Sequence, residues 1–307
     1  MKIKDWIAFI VLGTLWGSSF LWIKIAVQEI SPIMLVACRL FFAILPLSAA
    51  LMVLKPQLPK NRRIWAYLII LGFTNSAIPY LLISWGVQHI DSAVAAVLNS
   101  TTPLFAMILA HFSLLDDRIT WQRFIGLGLG FAGVVILLSR DVWMNQNEIA
   151  SLELIPTQNE TSSMLFVLLG QLAILLASFF YAVSSVFARR TLHQQPRIIQ
   201  GLFPLIGADA VLWFMVINSK NSFSVPHLPI TWISILWLGI IGTGFALLLY
   251  FYLIHSVGPT RTTIVTYIFP LVGVFLGVVF LNELLDWHLL FGGILIIGSI
   301  VFVNQLP

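Results

Sequence analysis

What most constrains this chain is a succession of apolar runs, each about 20 residues long, the length an α-helix needs to cross the hydrocarbon of a bilayer. Ten can be read, at 6–28, 32–54, 65–86, 92–114, 121–139, 163–188, 198–217, 231–253, 260–281 and 287–304. They are too long and too continuously apolar for barrel strands, which alternate and measure about ten residues. With 59% hydrophobic and 9% charged residues, the sequence predicts an all-α integral membrane protein of ten transmembrane helices. The first run follows Lys2 and Lys4 but is longer than a signal peptide and lacks a small-residue cleavage site, so it should stay in the mature chain. Cys38 is the only cysteine, which excludes an intramolecular disulfide and a cysteine metal cluster. No metal or cofactor is expected, and the net charge of +4 is scattered between runs, which argues against nucleic-acid binding.

The cations set an orientation, because Lys and Arg mark cytoplasmic loops. With the N-terminus inside, the inner segments hold Lys2, Lys4, Lys55, Lys60, Arg62, Arg63, Arg118, Arg123, Arg189, Arg190, Arg197 and Arg261, and the outer loops hold Arg140 and Lys220. Acids such as Glu29, Asp91, Glu283 and Asp286 collect outside. Both termini are therefore expected in the cytoplasm, with the chain in a plasma membrane, a bacterial inner membrane by expectation.

Sliding the sequence along itself uncovers a repeat. At an offset of 167, Trp65 falls on Trp232, Leu71 and Gly72 on Leu238 and Gly239, and Pro103 and Leu104 on Pro270 and Leu271. At 166, Asp117 meets Glu283, Trp121 meets Trp287 and Gly126 meets Gly292; at 165, Trp16 meets Tyr181 and Ser19 meets Ser184. Each copy holds five runs, an odd number, so the second must enter the membrane upside down. The cations agree: Arg118 and Arg123 inside correspond to Leu284 and Leu289 outside, and uncharged Val94 corresponds to Arg261 inside. Inverted repeats are the architecture of secondary transporters, with the substrate site near the midplane between the copies. The expected organisation is a first five-helix repeat over 1–140, an extracytoplasmic linker over 141–162, polar and weakly periodic, and a second repeat over 163–307.

With "LWGSSF" (Leu15 to Phe20) in the first run, Arg39 in the second, Pro103 and Pro270 in the fourth and ninth, and the turns "DDRITW" and "NELLDW", the chain resembles the EamA family of the drug/metabolite transporter superfamily. The likeness covers two EamA-type units, about 6–139 and 165–304. It implies a ten-helix carrier of small metabolites, often amino acids or amphipathic compounds, usually working outward. Substrates in the superfamily range widely, so fold does not set substrate.

Candidate transport residues come from polar groups placed within the runs. Proline cannot donate to the carbonyl four residues back, so Pro103 frees that of Asn99 and Pro270 that of Thr266. In hydrocarbon such groups need a polar side chain, a neighbouring helix or water; they either line the substrate path or are met by the helix's own hydroxyls and amides. Asn99, Thr102, Thr266 and Tyr267 are expected near the cavity. Ionisable residues within spans are functional candidates by default: Arg39 as a site for a substrate carboxylate, Asp209 as a proton carrier, or the two as a gating pair. Trp16 and Ser19 share a helix face, matched by Tyr181 and Ser184 in the second copy, and Asn75 adds a midspan amide. Lys24 lies close enough to the interface to snorkel. Stripes such as Gly126, Gly130 and Gly133 let helices approach closely, within one chain or across a dimer, so a monomer or homodimer is compatible with them.

The expected function is a secondary active exporter of small metabolites, amino acids or amphipathic compounds, working by alternating access with protons as a candidate coupling ion. Its partners are then a small-molecule substrate and the lipid bilayer. One alternative is an uptake or exchange permease for sugars or phosphorylated metabolites; a different class is a membrane-embedded enzyme or receptor. No Walker loop, H-E-x-x-H or nucleophile-base grouping is present, so no enzyme chemistry is expected.

Overall fold

The computed structural model describes residues 2–113, 120–152, 158–219, 225–258, 262 and 264–305, with backbone alone at 141–152, 158–163, 264 and 303–305. Among them there is no strand. The helices are α1 (Ile3–Ala26), α2 (Pro32–Leu54), α3 (Arg62–His89), α4 (Ser92–Ser113), α5 (Trp121–Leu152), α6 (Gln158–Thr191), α7 (Arg197–Asn218), α8 (Pro229–Val257), α9 (Val265–Leu281) and α10 (Trp287–Gln305). By length and composition α1 to α8 can each cross a membrane, α5 over Trp121–Arg140 and α6 over Met164–Thr191; Val265–Leu281 and Trp287–Phe302 are shorter apolar helices. Their outward faces carry exposed Val53, Phe112, Phe214, Phe275 and Ile294, an apolar surface suited to lipid.

Local chemistry sets several boundaries. Ser31 caps α2 by accepting from the Met34 N–H, with Pro32 at the first helical position, where a missing donor costs nothing. α2 ends on Lys55 and α9 on Asn282, both left-handed, at φ 42° and 55°. One expectation changes. Of the residues assigned to a linker, 141–152 continue α5 and 158–162 begin α6, while 153–157 lie outside the described residues. The stretch through Leu152 contains no glycine or proline, and Met144, Gln146, Glu148, Ala150 and Leu152 are good helix formers, so nothing stops α5 where its apolar run ends.

Four helices depart from α geometry in matched pairs. α3 passes through a π-helical turn at Phe73–Ala77 and α8 through one at Trp237–Phe245. α4 breaks at Ser100 and Thr101, and α9 opens with a 3-10 turn at Ile264–Tyr267. Packing is paired too: α2 lies along α7, α4 along α9 and α5 along α10; α1 packs on α8 and α9, and α6 on α3 and α4. Close crossings rest on glycine. Gly133 and Gly292 abut each other's carbonyls, and a Cβ at Gly273 would strike Ala96, so these stripes serve packing within the chain.

Candidate functional site

The interior brings a cation, two tyrosines and three small polar side chains together between α2, α3, α6 and α8. Arg39 lies seven residues into α2, about 10 Å along the axis at 1.5 Å per residue, and is 5% exposed. Its Nε donates to Thr243 Oγ1 at 2.9 Å, and its guanidinium carbon stands 3.9 Å from the centre of the Tyr80 ring, a cation–π contact. Among the described residues no carboxylate lies within ion-pair reach of it. Beside Tyr80, at 6.5 Å between ring centres, is Tyr181. Ser184, one turn on, donates to Asn75 Oδ1 and to the Tyr181 carbonyl, both at 2.8 Å.

The π turns create this arrangement. Within the turn of α8, Thr243 donates to the Leu238 carbonyl five residues back, which leaves its oxygen free to accept from Arg39. The same turn brings backbone to backbone: a Cβ at Gly239 would lie 2.9 Å from the Arg39 carbonyl oxygen. In the other copy, a Cβ at Gly72 would lie 3.0 Å from the Pro204 carbonyl carbon. Pro204 is 165 residues after Arg39 and Gly239 is 167 after Gly72, so the close approach recurs at offsets found in the sequence. π-turns of this kind are frequent at functional sites.

A second aromatic group lies between α1, α8 and α9. Trp16 packs on Tyr250 and Phe269 at 5.4 and 5.5 Å between ring centres, and Trp237 lies tilted at 5.6 Å from Trp22 while donating to Ser18. Ser19 donates to Leu15, and a Cβ at Gly242 would meet it at 3.5 Å, which puts it beside Thr243.

Other expected residues fall elsewhere. The carbonyl freed by Pro103 is met: Thr102 Oγ1 donates to the Asn99 carbonyl at 2.9 Å and Ser178 at 3.3 Å, and Ser178 also donates to Asn99 Oδ1. Ser100 and Thr101 likewise turn their hydroxyls to carbonyls three residues back. Tyr267 donates to the Ile300 carbonyl of α10, Thr266 is half-buried, and Pro270 is buried at the α4 seam. Asp209 does not join Arg39. It is 6% exposed in α7, which packs along α2, and its Oδ1 has no hydrogen-bond partner. Lys24 does not snorkel: its ammonium donates to the Val87 and Ile90 carbonyls at 2.8 Å each, capping α3.

Tyr80, Thr243, Ser178, Tyr250 and Phe269 were not among the sequence candidates. Thr243 was reachable, since it is Ser76 displaced by 167. Tyr80 was not, because five residues from Asn75 is about 140° away on an α-helix.

The sequence profile of the EamA-like transporter family matches residues 4–139 and 168–305. The "Uncharacterized transporter YoaV" of Bacillus subtilis is 23% identical over 98% of this chain and 97% of its own length. The "Uncharacterized inner membrane transporter YedA" of Escherichia coli K12 is 26% identical over 88% of this chain and 80% of its own. A solved crystal structure, 18% identical, aligns over 99% of this chain and 98% of its own with a TM-score of 0.65, a likeness of fold.

Proposed function

The chain belongs to the EamA-like transporter family, and on that premise we propose that it is a secondary active exporter of small metabolites, amino acids or amphipathic compounds carrying an anionic group. Ten spans form two inverted five-helix repeats, 1–140 and 163–307, that exchange conformations about the Arg39 cluster. The matched π turns, the matched breaks before Pro103 and Pro270, and a packing pattern that survives exchange of the halves support this reading. So do the basic residues that put both termini in the cytoplasm.

The observation that carries the proposal is Arg39: a guanidinium in the interior of a membrane bundle, held by a hydroxyl and a ring face. A buried charge without a counterion is costly. A substrate carboxylate would supply that counterion, and the aromatic group from Trp16 to Phe269 would take its apolar part. Asp209, buried and short of a hydrogen-bond partner, is the candidate for the coupling proton. A phosphorylated substrate would call for several converging cations, whereas Lys24 is committed to α3.

The test is reconstitution in liposomes, with amino acids and amphipathic carboxylates screened by counterflow and each hit repeated under a pH gradient. Wild type is expected to exchange at least one anionic solute and Arg39→Ala none. Movement of cationic or neutral solutes alone, unaffected by Arg39→Ala, would overturn the assignment.

A further inference from the structure

Within α7 an acceptor and a donor lie four residues apart, each shut away and each without a hydrogen-bond partner among the described residues: Asp209 Oδ1 and Trp213 Nε1. At that spacing two side chains on a helix are neighbours, with Cβ atoms about 5–6 Å apart. A long helical side chain also leans back over the turn before it, which carries the indole of Trp213 toward Asp209. An indole N–H can only donate, and an ionised carboxylate can only accept. Of the residues three or four away from Asp209 on α7, namely Leu205, Ile206, Leu212 and Trp213, Trp213 alone has a polar side-chain atom.

The two charge states of Asp209 make different demands. Protonated, it is a neutral group in apolar surroundings; ionised and 6% exposed, it is costly until a donor is brought to it. The helices packed on α7 are α2, α3 and α8. From α2 come Cys38, a weak donor, and Arg39, engaged with Thr243 and Tyr80. From α3 come Tyr80 itself and Tyr67, whose ring lies on Phe187 of α6. α8, which carries Tyr250, meets α7 where a Cβ at Gly201 would strike the Phe251 ring, eight residues and about 12 Å along the axis from Asp209.

We propose that Trp213 is the positioning residue for the coupling proton: when Asp209 releases its proton the carboxylate turns to accept from the Trp213 N–H, and when the proton returns that bond is given up. The proposal rests on the reading of Asp209 in the preceding subsection and deepens it. A group that carries a proton must spend part of each cycle without it, and an acid whose ionised form found no donor would stay protonated throughout and couple nothing. The proton passes between Asp209 and the medium. Trp213 keeps its own N–H at every stage and acts by holding the charged form.

Trp213→Phe keeps a ring and removes the N–H. In the full chain in lipid, infrared difference spectra against Asp209→Asn isolate the Asp209 bands, those of the acid at low pH and of the carboxylate at high pH. Trp213→Phe is expected to displace the carboxylate bands, to leave the acid band in place, and to cut the ionised fraction at a fixed intermediate pH about tenfold, the worth of one hydrogen bond to a charged group. A merely loosened helix would disturb both forms alike. Carboxylate bands that stay still overturn the proposal, as does an acid band that moves as far as they do. Should Trp213→Phe not fold, indole N–H resonances of wild type and Asp209→Asn at the same high pH decide: one is expected downfield in wild type alone, and identical spectra overturn the proposal. Exchange under a pH gradient separates the two readings. Asp209→Asn is expected to lose the response and Trp213→Phe to keep a smaller one. An Asp209→Asn variant that answers like wild type removes the coupling role of Asp209 and that of Trp213 with it; a full response in Trp213→Phe, lost in Asp209→Asn, removes Trp213 alone.

Discussion

Arg39 is held by one hydroxyl and one ring face, so its charge is positioned but, among the described residues, not neutralised. Lysine keeps the charge and loses both the planar stacking on Tyr80 and the Nε donor. Arg39→Lys is therefore expected to raise KM for an anionic substrate at least tenfold with binding still detectable, and Arg39→Ala to abolish counterflow; titration of exchange against substrate concentration checks both. Asp209 invites a different substitution. Asp209→Asn keeps shape and removes the ionisable group, so exchange should persist while stimulation by a pH gradient disappears; a variant that answers the gradient like wild type removes Asp209 from proton coupling. At this scale the sequence was legible where depth and charge sufficed. Arg39, Asn75, Tyr181 and Ser184 could be nominated from polar type within an apolar run, and they do converge. Tyr80 could not, because the π turn that aligns it with Asn75 is a property of packing against glycine rather than of local spacing.

The π turns and glycine crossings of α3 and α8 place the site, and their backbone contacts leave no room for a side chain. A Cβ at Gly239 would lie 2.6 Å from the Phe42 Cβ as well as against the Arg39 carbonyl. Overpacking of this kind costs about 1–3 kcal/mol, so Gly239→Ala should lower the melting temperature in detergent and displace Arg39. Gly128 is the control: nothing lies within 4 Å of a Cβ there, and Gly128→Ala should be neutral or stabilise by up to about 1 kcal/mol from helix propensity. Equal effects of the two would mean that the crossing is looser than its geometry. Element boundaries were mostly readable from where the apolar runs end. The extension of α5 was not, since apolar run and helix are separate properties and only the first ends near Arg140.

For the molecule as a whole, the offsets suggested two units and the family profile matches the chain twice, over 4–139 and 168–305, while the contacts of Glu29 and of Asp286 with Arg140 needed the hydrogen bonds. Those contacts have an acid signature. Glu29 is held below its ordinary 4.5 chiefly by the Thr231 hydroxyl, aided by the His227 and Leu228 amides and opposed by burial. Burial pushes Asp286 up, yet the Arg140 hydrogen bond and the Leu289 amide together hold it below its ordinary 3.8. A depressed carboxyl lends stability above its unfolded value and loses it as pH falls through the folded one. Thermal stability should thus stay level down to about pH 4.5 and decline below it, with a smaller decline in Glu29→Gln; a melting series in detergent across pH decides this. The paired approaches of Gly239 to Arg39 and Gly72 to Pro204 carry a last consequence. At both places the glycine of the neighbouring helix meets a backbone carbonyl, so the main chain at position 39 and at its counterpart 204 is held whatever side chain stands there. A saturation library at 39 and 204 should therefore change what the interior binds before it loosens the helix crossing.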